Sequence, residues 1–575
     1  MPEHHATSVQ LSDELRFTIA LVSRIATLNP PSTLRTSTDD QGGNDVESSV
    51  YWWKPAANAW FQDVCDHLGI DPRNLPPDPS LQDAEPLSGT VLPNDHPLIA
   101  SALLTATVVP SPKTKERMGK QPSEAKASET VAKAFGYSAA ERAVLAYTLQ
   151  LLSIPISRLL EVEKTLGRDL FEELKEAEMK EKSEVARKEQ EHGWGGKWGR
   201  WAATGGGVIL GGVAIGLTGG LAAPALVPLL PFLSASTAPI VLGSLFGIAG
   251  GGLAGKRVRK RWGGVEYFEF EQISGGGEGS VHQKTASYAV YQRKGRGSSD
   301  GKETGGKPDE TKGGPIPPSL VATICVPGIT LGSEDEGLNA YKDALGVLAD
   351  PTRDVFVLRH SPDVMLSTGE TLNTWIRTKL LTKAGKEILA QTAFNAVLAA
   401  IALPMTIYST TGLALDNDWI RACDKAKKAG DLLAEVLKEK VQGERPVTLV
   451  ASSLGALALF RALLVLADSD DVTEPLIDSA VLISLPQVVS SREWEMARTV
   501  VSRRLVNAYS SKDFVLAGVG RLHEVVGGAG FGGMAGLNAV QANGVEDIDI
   551  SELVGGHFDI NGNMTKVLGA VKVNE

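Results

Sequence analysis

Apolar positions recur along this chain with two different periods, and the change falls just past its middle. Between Val9 and Leu28, residues Leu11, Leu15, Ile19, Val22 and Ile25 stand at helical spacing, with Ser12 and Asp13 as candidate caps. Residues 29–49 are rich in Pro, Ser, Thr, Asp and Gly and predict a loop. Tyr51, Trp52, Trp53, Trp60 and Phe61 then make a dense aromatic patch. It reads as the core anchor of a small helical unit, with an interaction surface as the alternative. Prolines from Pro72 to Pro97 predict a linker, as does the polar stretch Pro110 to Ser128. Helical period returns from Glu129 to about Leu160. Beyond it, Glu163, Glu172, Glu173, Glu176 and Glu178 alternate with Lys164, Lys175, Lys180 and Lys182 up to Glu191. That pattern predicts a solvated helix face, with too few sustained apolar heptads to require a coiled coil.

Between Arg200 and Lys256 no charged residue occurs. Two apolar segments, Thr204–Ala222 and Ala238–Gly255, flank a connector holding Pro224, Pro228, Pro231 and Pro239. Each approaches the ~20 residues that cross a ~30 Å hydrocarbon core as a helix. Gly212, Gly216 and Gly220 in the first and Gly243, Gly247, Gly251 and Gly255 in the second form ladders that allow close helix approach in lipid. In water each glycine would cost ~1 kcal/mol relative to alanine. Lys197 and Arg200 precede the pair and the basic run Lys256 to Arg261 follows it, so both ends are expected in the cytosol. Trp194, Trp198, Trp201 and Trp262 fall at the expected interfaces. A membrane hairpin is the reading, against a buried hairpin or a shallow re-entrant insertion.

Beyond that, Val265–Phe270 and Ser287–Tyr291 read as strands, and Lys294–Gly314 as a Gly/Lys/Ser/Asp-rich linker. The pattern then alternates short apolar strands with helices, which predicts an α/β domain with a mostly parallel sheet and flanking helices. The expected strands are Leu320–Val326, Asp354–Leu358, Val447–Ala451, Ala480–Ser484 and Arg504–Tyr509, with a last one at Gly536–Gln541 or Asp547–Ile550. Helices are expected over 335–348, 371–402, 417–440 and 454–467. The apolar run Ala390–Leu403 is short for a span and reads as a core or surface-contacting helix.

The 575 residues are too many for one core and imply roughly two to four folded units. The expected division is a helical region with linkers over 1–128, a charged helical segment over 129–200, the hairpin over 201–262, strands and linker over 263–314, and a catalytic domain over 315–575. A formal net charge of −11 argues against a nucleic-acid partner. Cys65, Cys325 and Cys423 are odd in number and far apart, which fits a reducing compartment without disulfide or Cys-x-x-Cys metal site. Met1-Pro-Glu-His-His lacks a basic segment leading into an apolar run, so no secretory signal is expected.

The candidate chemistry centres on Ala451-Ser452-Ser453-Leu454-Gly455, where a buried strand meets a helix. A serine on such an elbow needs small neighbours two positions before and after it, usually spelled G-x-S-x-G; here alanine replaces the first glycine. In the α/β-hydrolase fold the serine is followed in the chain by an acid and then a histidine, each after a strand. Asp513 follows the strand Arg504–Tyr509, and His557 lies in a loop behind two glycines after the last strand. A serine hydroxyl needs a histidine to take its proton, and the acid orients that histidine. Ser453, Asp513 and His557 are therefore the candidate catalytic residues. An oxyanion would take N–H donors from Leu454 and from Gly328 or Ile329 in the loop after the Leu320–Val326 strand. His360 and His523 are competing bases that do not follow the last strand. No H-E-x-x-H, Walker A or strand-linked G-x-G-x-x-G occurs, so neither cofactor nor metal is expected.

The helical region, charged helix, glycine-rich hairpin and serine elbow together resemble the transmembrane and coiled-coil domain-containing protein 4 family. The motifs that carry the resemblance are Arg445 to Ala456, Asn507-Ala-Tyr-Ser-Ser-Lys-Asp513 and Val554-Gly-Gly-His557, within a span of roughly 130–570. Ala451 departs from the family's glycine. The resemblance implies a membrane-associated α/β-hydrolase-like protein of eukaryotic cells acting on lipid-type esters. An intracellular membrane location, a lipid substrate and a bilayer partner follow from this reading. Protein partners at the N-terminal loops and self-association stay open, and so do two rival functions: a membrane adaptor with a hydrolase-like fold, and an acyl-protein or acyl thioesterase.

Overall fold

The computed structural model describes residues 11–34, 51–111, 136–171, 173, 241, 244–245, 267–273, 319–348, 354–383, 410–518 and 534–574. Seven strands among them form one sheet: β1 (Phe268–Ile273), β2 (Ala322–Val326), β3 (Asp354–His360), β4 (Val447–Ser452), β5 (Ile477–Ile483), β6 (Val501–Tyr509) and β7 (Val545–Asp549). Their spatial order is β1-β3-β2-β4-β5-β6-β7. Strand β1 runs antiparallel to β3, and every other pair is parallel. The class is α/β with a mostly parallel sheet, as the alternation of strands and helices implied. The sheet already begins with β1, ahead of residue 315.

The strand sequences explain their places. β2, β4 and β5 are buried at every position, as near-continuous apolar runs in a parallel sheet covered on both faces must be. Alternate residues feed two cores. Ile324, Val326, Leu449, Ala451 and Leu482 pack beneath the helices Pro362–Lys383, Thr410–Lys438, Leu454–Ala467 and Ser491–Thr499. Cys325, Val450, Val481 and Ile483 pack beneath Glu336–Leu348 and Met564–Ala570. β1 carries acidic residues at alternate positions and β7 at three of its five, and the two take the edges, where charge discourages further pairing.

The N-terminal residues form a third core from the helices Asp13–Leu28, Trp53–Leu68, His96–Val108 and Ala139–Leu151. Ser12 caps the first helix, accepting from the N–H of Leu15. Trp52, Trp53, Trp60 and Phe61 are buried, so the aromatic patch is an anchor and only Tyr51 faces solvent. A buried ion network ties this unit to the sheet. Arg142 contacts Glu163 at 2.7 Å and Asp478, at the start of β5, at 2.8 Å.

Several expectations change. The Pro72–Pro97 stretch is no linker: it folds as short 3-10 turns and the helix Ala84–Ser88, because Leu75, Ala84 and Val91 find burial. Glu163, expected on a solvated face, is buried by its pairing with Arg142. The helix expected from 371 starts at Pro362, where the fixed φ of proline suits a first turn. The last strand is Val545–Asp549; Gly536 instead donates to the carbonyl of Leu485 in the turn after β5. Among the described residues no helix is long and apolar enough to cross a membrane. The hairpin expected over 201–262 lies outside the described residues, except for Val241, Ser244 and Leu245 in its second segment. Val241 and Leu245 are fully buried in the N-terminal core, and the carbonyl of Ser244 accepts from Glu444 N at 2.7 Å. That turn packs against protein. The strand Ser287–Tyr291, the linker 294–314 and the run 390–403 also lie outside the described residues.

Candidate active site

The sheet reverses its winding between β2 and β4: the chain passes from β2 outward to β3 and returns to place β4 on the other side of β2. In parallel sheets the crevice at the carboxyl ends of such strands is where ligands bind. Two loops meet there, Pro327–Thr330 after β2 and the elbow at Ser453 after β4.

Ser453 sits between β4 and the helix Leu454–Ala467 with φ 57° and ψ −130°. A non-glycine residue in this region costs about 1–3 kcal/mol and is held only by its surroundings. The surroundings are backbone. Ser453 N donates to the carbonyl of Ile483 on β5 at 2.9 Å. A Cβ on Gly455 would lie 2.0 Å from the carbonyl oxygen of Val326 and 2.7 Å from that of Pro327, so only glycine fits. A Cβ on Gly328 would lie 2.6 Å from Leu454 N and 2.7 Å from the Ser453 Cβ. The two loops thus touch main chain to main chain. Ala451 is fully buried in the same core as Leu449 and Leu454.

Three side chains separated in sequence meet at this elbow. Ser453 Oγ lies 2.6 Å from His557 Nε2, and His557 Nδ1 lies 2.7 Å from Asp513 Oδ2. The other carboxylate oxygen, Asp513 Oδ1, accepts from Leu516 N at 3.0 Å, which orients the acid. With Nδ1–H donating to the carboxylate, Nε2 is left to accept the serine proton. All three are at most 4% exposed, so these contacts act in a medium that water screens poorly. Gly556 allows the histidine to approach: a Cβ there would meet the Phe514 ring at 2.4 Å.

Of the residues singled out as oxyanion donors, Leu454 opens the helix at the elbow, Gly328 packs against it and Ile329 follows in the same loop. Among the described residues, no hydrogen bond employs the N–H of Gly328, Ile329 or Leu454. The competing base His360 ends β3, buried and with neither ring nitrogen hydrogen-bonded; burial lowers its pKa to about 4, so it is neutral near pH 7. His523 lies outside the described residues. No group of His, Cys, Asp or Glu among the described residues is arranged to hold a metal ion.

Other features had no mark in the sequence. Ser361 and Ser484, which follow β3 and β5, also have positive φ (43° and 51°), so three strands consecutive in the chain are each followed by a serine in this strained region. Glu336 accepts from Leu331 N (2.8 Å) and Gly332 N (2.7 Å), and receives Asn561 Nδ2 (2.8 Å) from the segment after His557. No local pattern joins residues so far apart in the chain.

The chain belongs to a family of proteins of unknown function, DUF726, which matches residues 196–574. It is 28% identical over 508 residues to the transmembrane and coiled-coil domain-containing protein STS1 of Oryza sativa subsp. japonica, covering 84% of this chain and 67% of that one. It is 32% identical over 252 residues to the probable lipase MIL1 of Saccharomyces cerevisiae, covering 44% of this chain and 22% of that one. An uncharacterized membrane protein of Caenorhabditis elegans is 27% identical over 342 residues, 59% of this chain and 48% of its own. The chain thus spans about two thirds of the rice relative and less than half of the other two. No solved structure matches it.

Proposed function

We propose that this chain is a membrane-associated serine hydrolase of the α/β-hydrolase fold that cleaves acyl esters of lipids. The observation that carries the reading is the buried line Ser453–His557–Asp513, built at the carboxyl ends of β4, β6 and β7 with its serine on a strained elbow. The strand order with one antiparallel edge, and the chain order serine, acid, histidine, fit that fold. In this reading the Ser453 hydroxyl attacks the ester carbonyl while His557 Nε2 takes its proton. The new Oγ–C bond leaves an oxyanion facing the amides of Leu454 and of Gly328 or Ile329. Collapse of that species breaks the bond to the alcohol, which leaves with the proton from His557. Water, activated by the same histidine, then releases the fatty acid and restores Ser453.

The lipid class is supported by the relative named a probable lipase, and membrane association by the relatives named as membrane proteins. The grouping with transmembrane and coiled-coil domain-containing protein 4 belongs to the same proposal, as does a hairpin over 201–262 in which Val241 and Leu245 stay on the protein core. Ester and thioester present the same carbonyl to this serine, so a substrate panel separates lipase from thioesterase. The test is fatty-acid release from mixed phospholipids, glycerides and acyl thioesters by wild type and Ser453→Ala protein in detergent. Release that disappears with the serine supports the reading. No release from any substrate by folded wild-type protein would favour the adaptor function.

A further inference from the structure

The loop after β2 bears the amides proposed for the oxyanion and packs against the elbow and, through Ile329 and Thr330, against Gly369 of the helix Pro362–Lys383. Glu336, at the start of the helix Glu336–Leu348, adds hydrogen bonds to that packing. One carboxylate oxygen, Oε2, accepts both Leu331 N and Gly332 N, at 2.8 and 2.7 Å. The other, Oε1, accepts Asn561 Nδ2 at 2.8 Å, and the same amide group lies 3.4 Å from the carbonyl oxygen of Ile329. Asn561 stands four residues after His557, in a 3-10 turn that follows the histidine's own. The next residue along the helix, Gly337, lies against Pro327 so closely that a Cβ would meet the proline's at 2.5 Å. One carboxylate therefore joins the loop of the oxyanion amides to the segment that carries the base.

We infer that Glu336 and Asn561 form a positioning clasp that keeps the 327–332 loop in register with His557. The inference rests on the serine-hydrolase reading. Neither residue touches Ser453; both act through the loop and the histidine turn. The clasp engages both oxygens of the carboxylate with Leu331, Gly332 and Asn561, while the amides of Gly328 and Ile329 stay available to substrate. Because a shift of about 1 Å in reacting groups can cost as much as 10²-fold in rate, a loosened clasp should lower turnover and leave the serine, histidine and acid chemically intact.

The test is an exchange of the two side-chain types. Glu336→Gln turns an amide group toward the Asn561 amide, and Asn561→Asp turns a carboxylate toward Glu336. Asn561→Asp sets two carboxylates face to face, and Glu336→Gln removes the charge that strengthens all three hydrogen bonds of the clasp. Combining Glu336→Gln with Asn561→Asp restores donor against acceptor and leaves net charge unchanged. Two readouts apply to wild type, both singles and the pair: the rate at which Ser453 is labelled by a fluorophosphonate, and amide exchange at Leu331 and Gly332. The singles should label roughly tenfold more slowly, with faster exchange, and the pair should recover most of both. Wild-type labelling and exchange in both singles, or a pair no better than its worse single, would overturn the clasp. If wild-type protein does not label at all, the hydrolase reading fails and exchange alone decides. Protection lost in the singles and regained in the pair then supports the clasp, and equal protection in all four proteins overturns it.

Discussion

Gly328→Ala is the perturbation with the most direct structural consequence. The added Cβ would lie 2.6 Å from both Leu454 N and the carbonyl oxygen of Ser452, and 2.7 Å from the Ser453 Cβ. Ordinary contact begins at 3.4 Å, so the methyl intrudes by about 0.8 Å against two backbone atoms. Neither atom can step aside. Leu454 opens a helix buried along most of its length, and Ser452 ends a fully buried strand. The loop must therefore move away from the elbow by a comparable distance. A displacement near 1 Å costs on the order of 10²-fold in rate, and overpacking costs about 1–3 kcal/mol of stability. Gly569→Ala, in the helix Met564–Ala570 with nothing within 4 Å of its added Cβ, is the matched control. It should be neutral or stabilising by up to about 1 kcal/mol. The assay is turnover of a soluble short-chain ester well below each variant's melting temperature, alongside thermal unfolding. Gly328→Ala with wild-type kcat would refute the argument that the β2 loop and the elbow jointly build the oxyanion site.

Other predictions concern the elbow and the ionisable interior. Ala451→Gly should leave ester turnover within about twofold and lose roughly 0.5–1 kcal/mol in urea unfolding, because a fully buried methyl is removed and glycine loosens a strand; a large gain in turnover would show that the alanine impairs the elbow. Glu141 has its pKa raised from 4.5 to about 7, chiefly by burial. The native state therefore holds this proton more tightly than the unfolded chain. The stabilisation is complete below pH 4.5 and is lost as pH rises to about 7. Glu141→Gln preserves the capping partner of Ser138 and should flatten urea midpoints across that window, removing a slope of about 1–3 kcal/mol; an unchanged slope would assign the pH dependence elsewhere. Asp478→Asn leaves Arg142 and Arg503 with reduced compensation in the interior and should cost about 3–5 kcal/mol. A loss below about 1 kcal/mol would show that water enters the network.

The site was legible to the degree that its chemistry is local. Ser453 and Gly455 advertise a strand-to-helix turn because two backbones cross there, and no side chain larger than hydrogen fits at 455. Asp513 and His557 were found through chain order and strand ends, since fully buried parallel strands announce themselves as apolar runs. Strand β7, with three acidic residues and the expected site of a strand shared with Gly536–Gln541, was ambiguous because an edge strand needs little burial. Glu163 read as surface charge, since the arginine that neutralises it comes from an earlier helix, and Asp478 carried no mark in the sequence because the same arginine pairs it from 336 residues away. Glu336 and Asn561 were invisible for the same reason. The apolar run containing Val241 and Leu245 showed the limit of composition: an uncharged segment can be satisfied by lipid or by a protein core, and those two residues are in the core.

The central claim is that Ser453 is a nucleophile activated by His557 and Asp513. It is tested most directly by treating the full chain in detergent with a fluorophosphonate and locating the modified residue by mass spectrometry. The account predicts a single adduct on Ser453, absent after Ser453→Ala and slowed by at least about 10³-fold after His557→Ala. A folded wild-type protein that takes up no label, or one labelled at another serine, would contradict it.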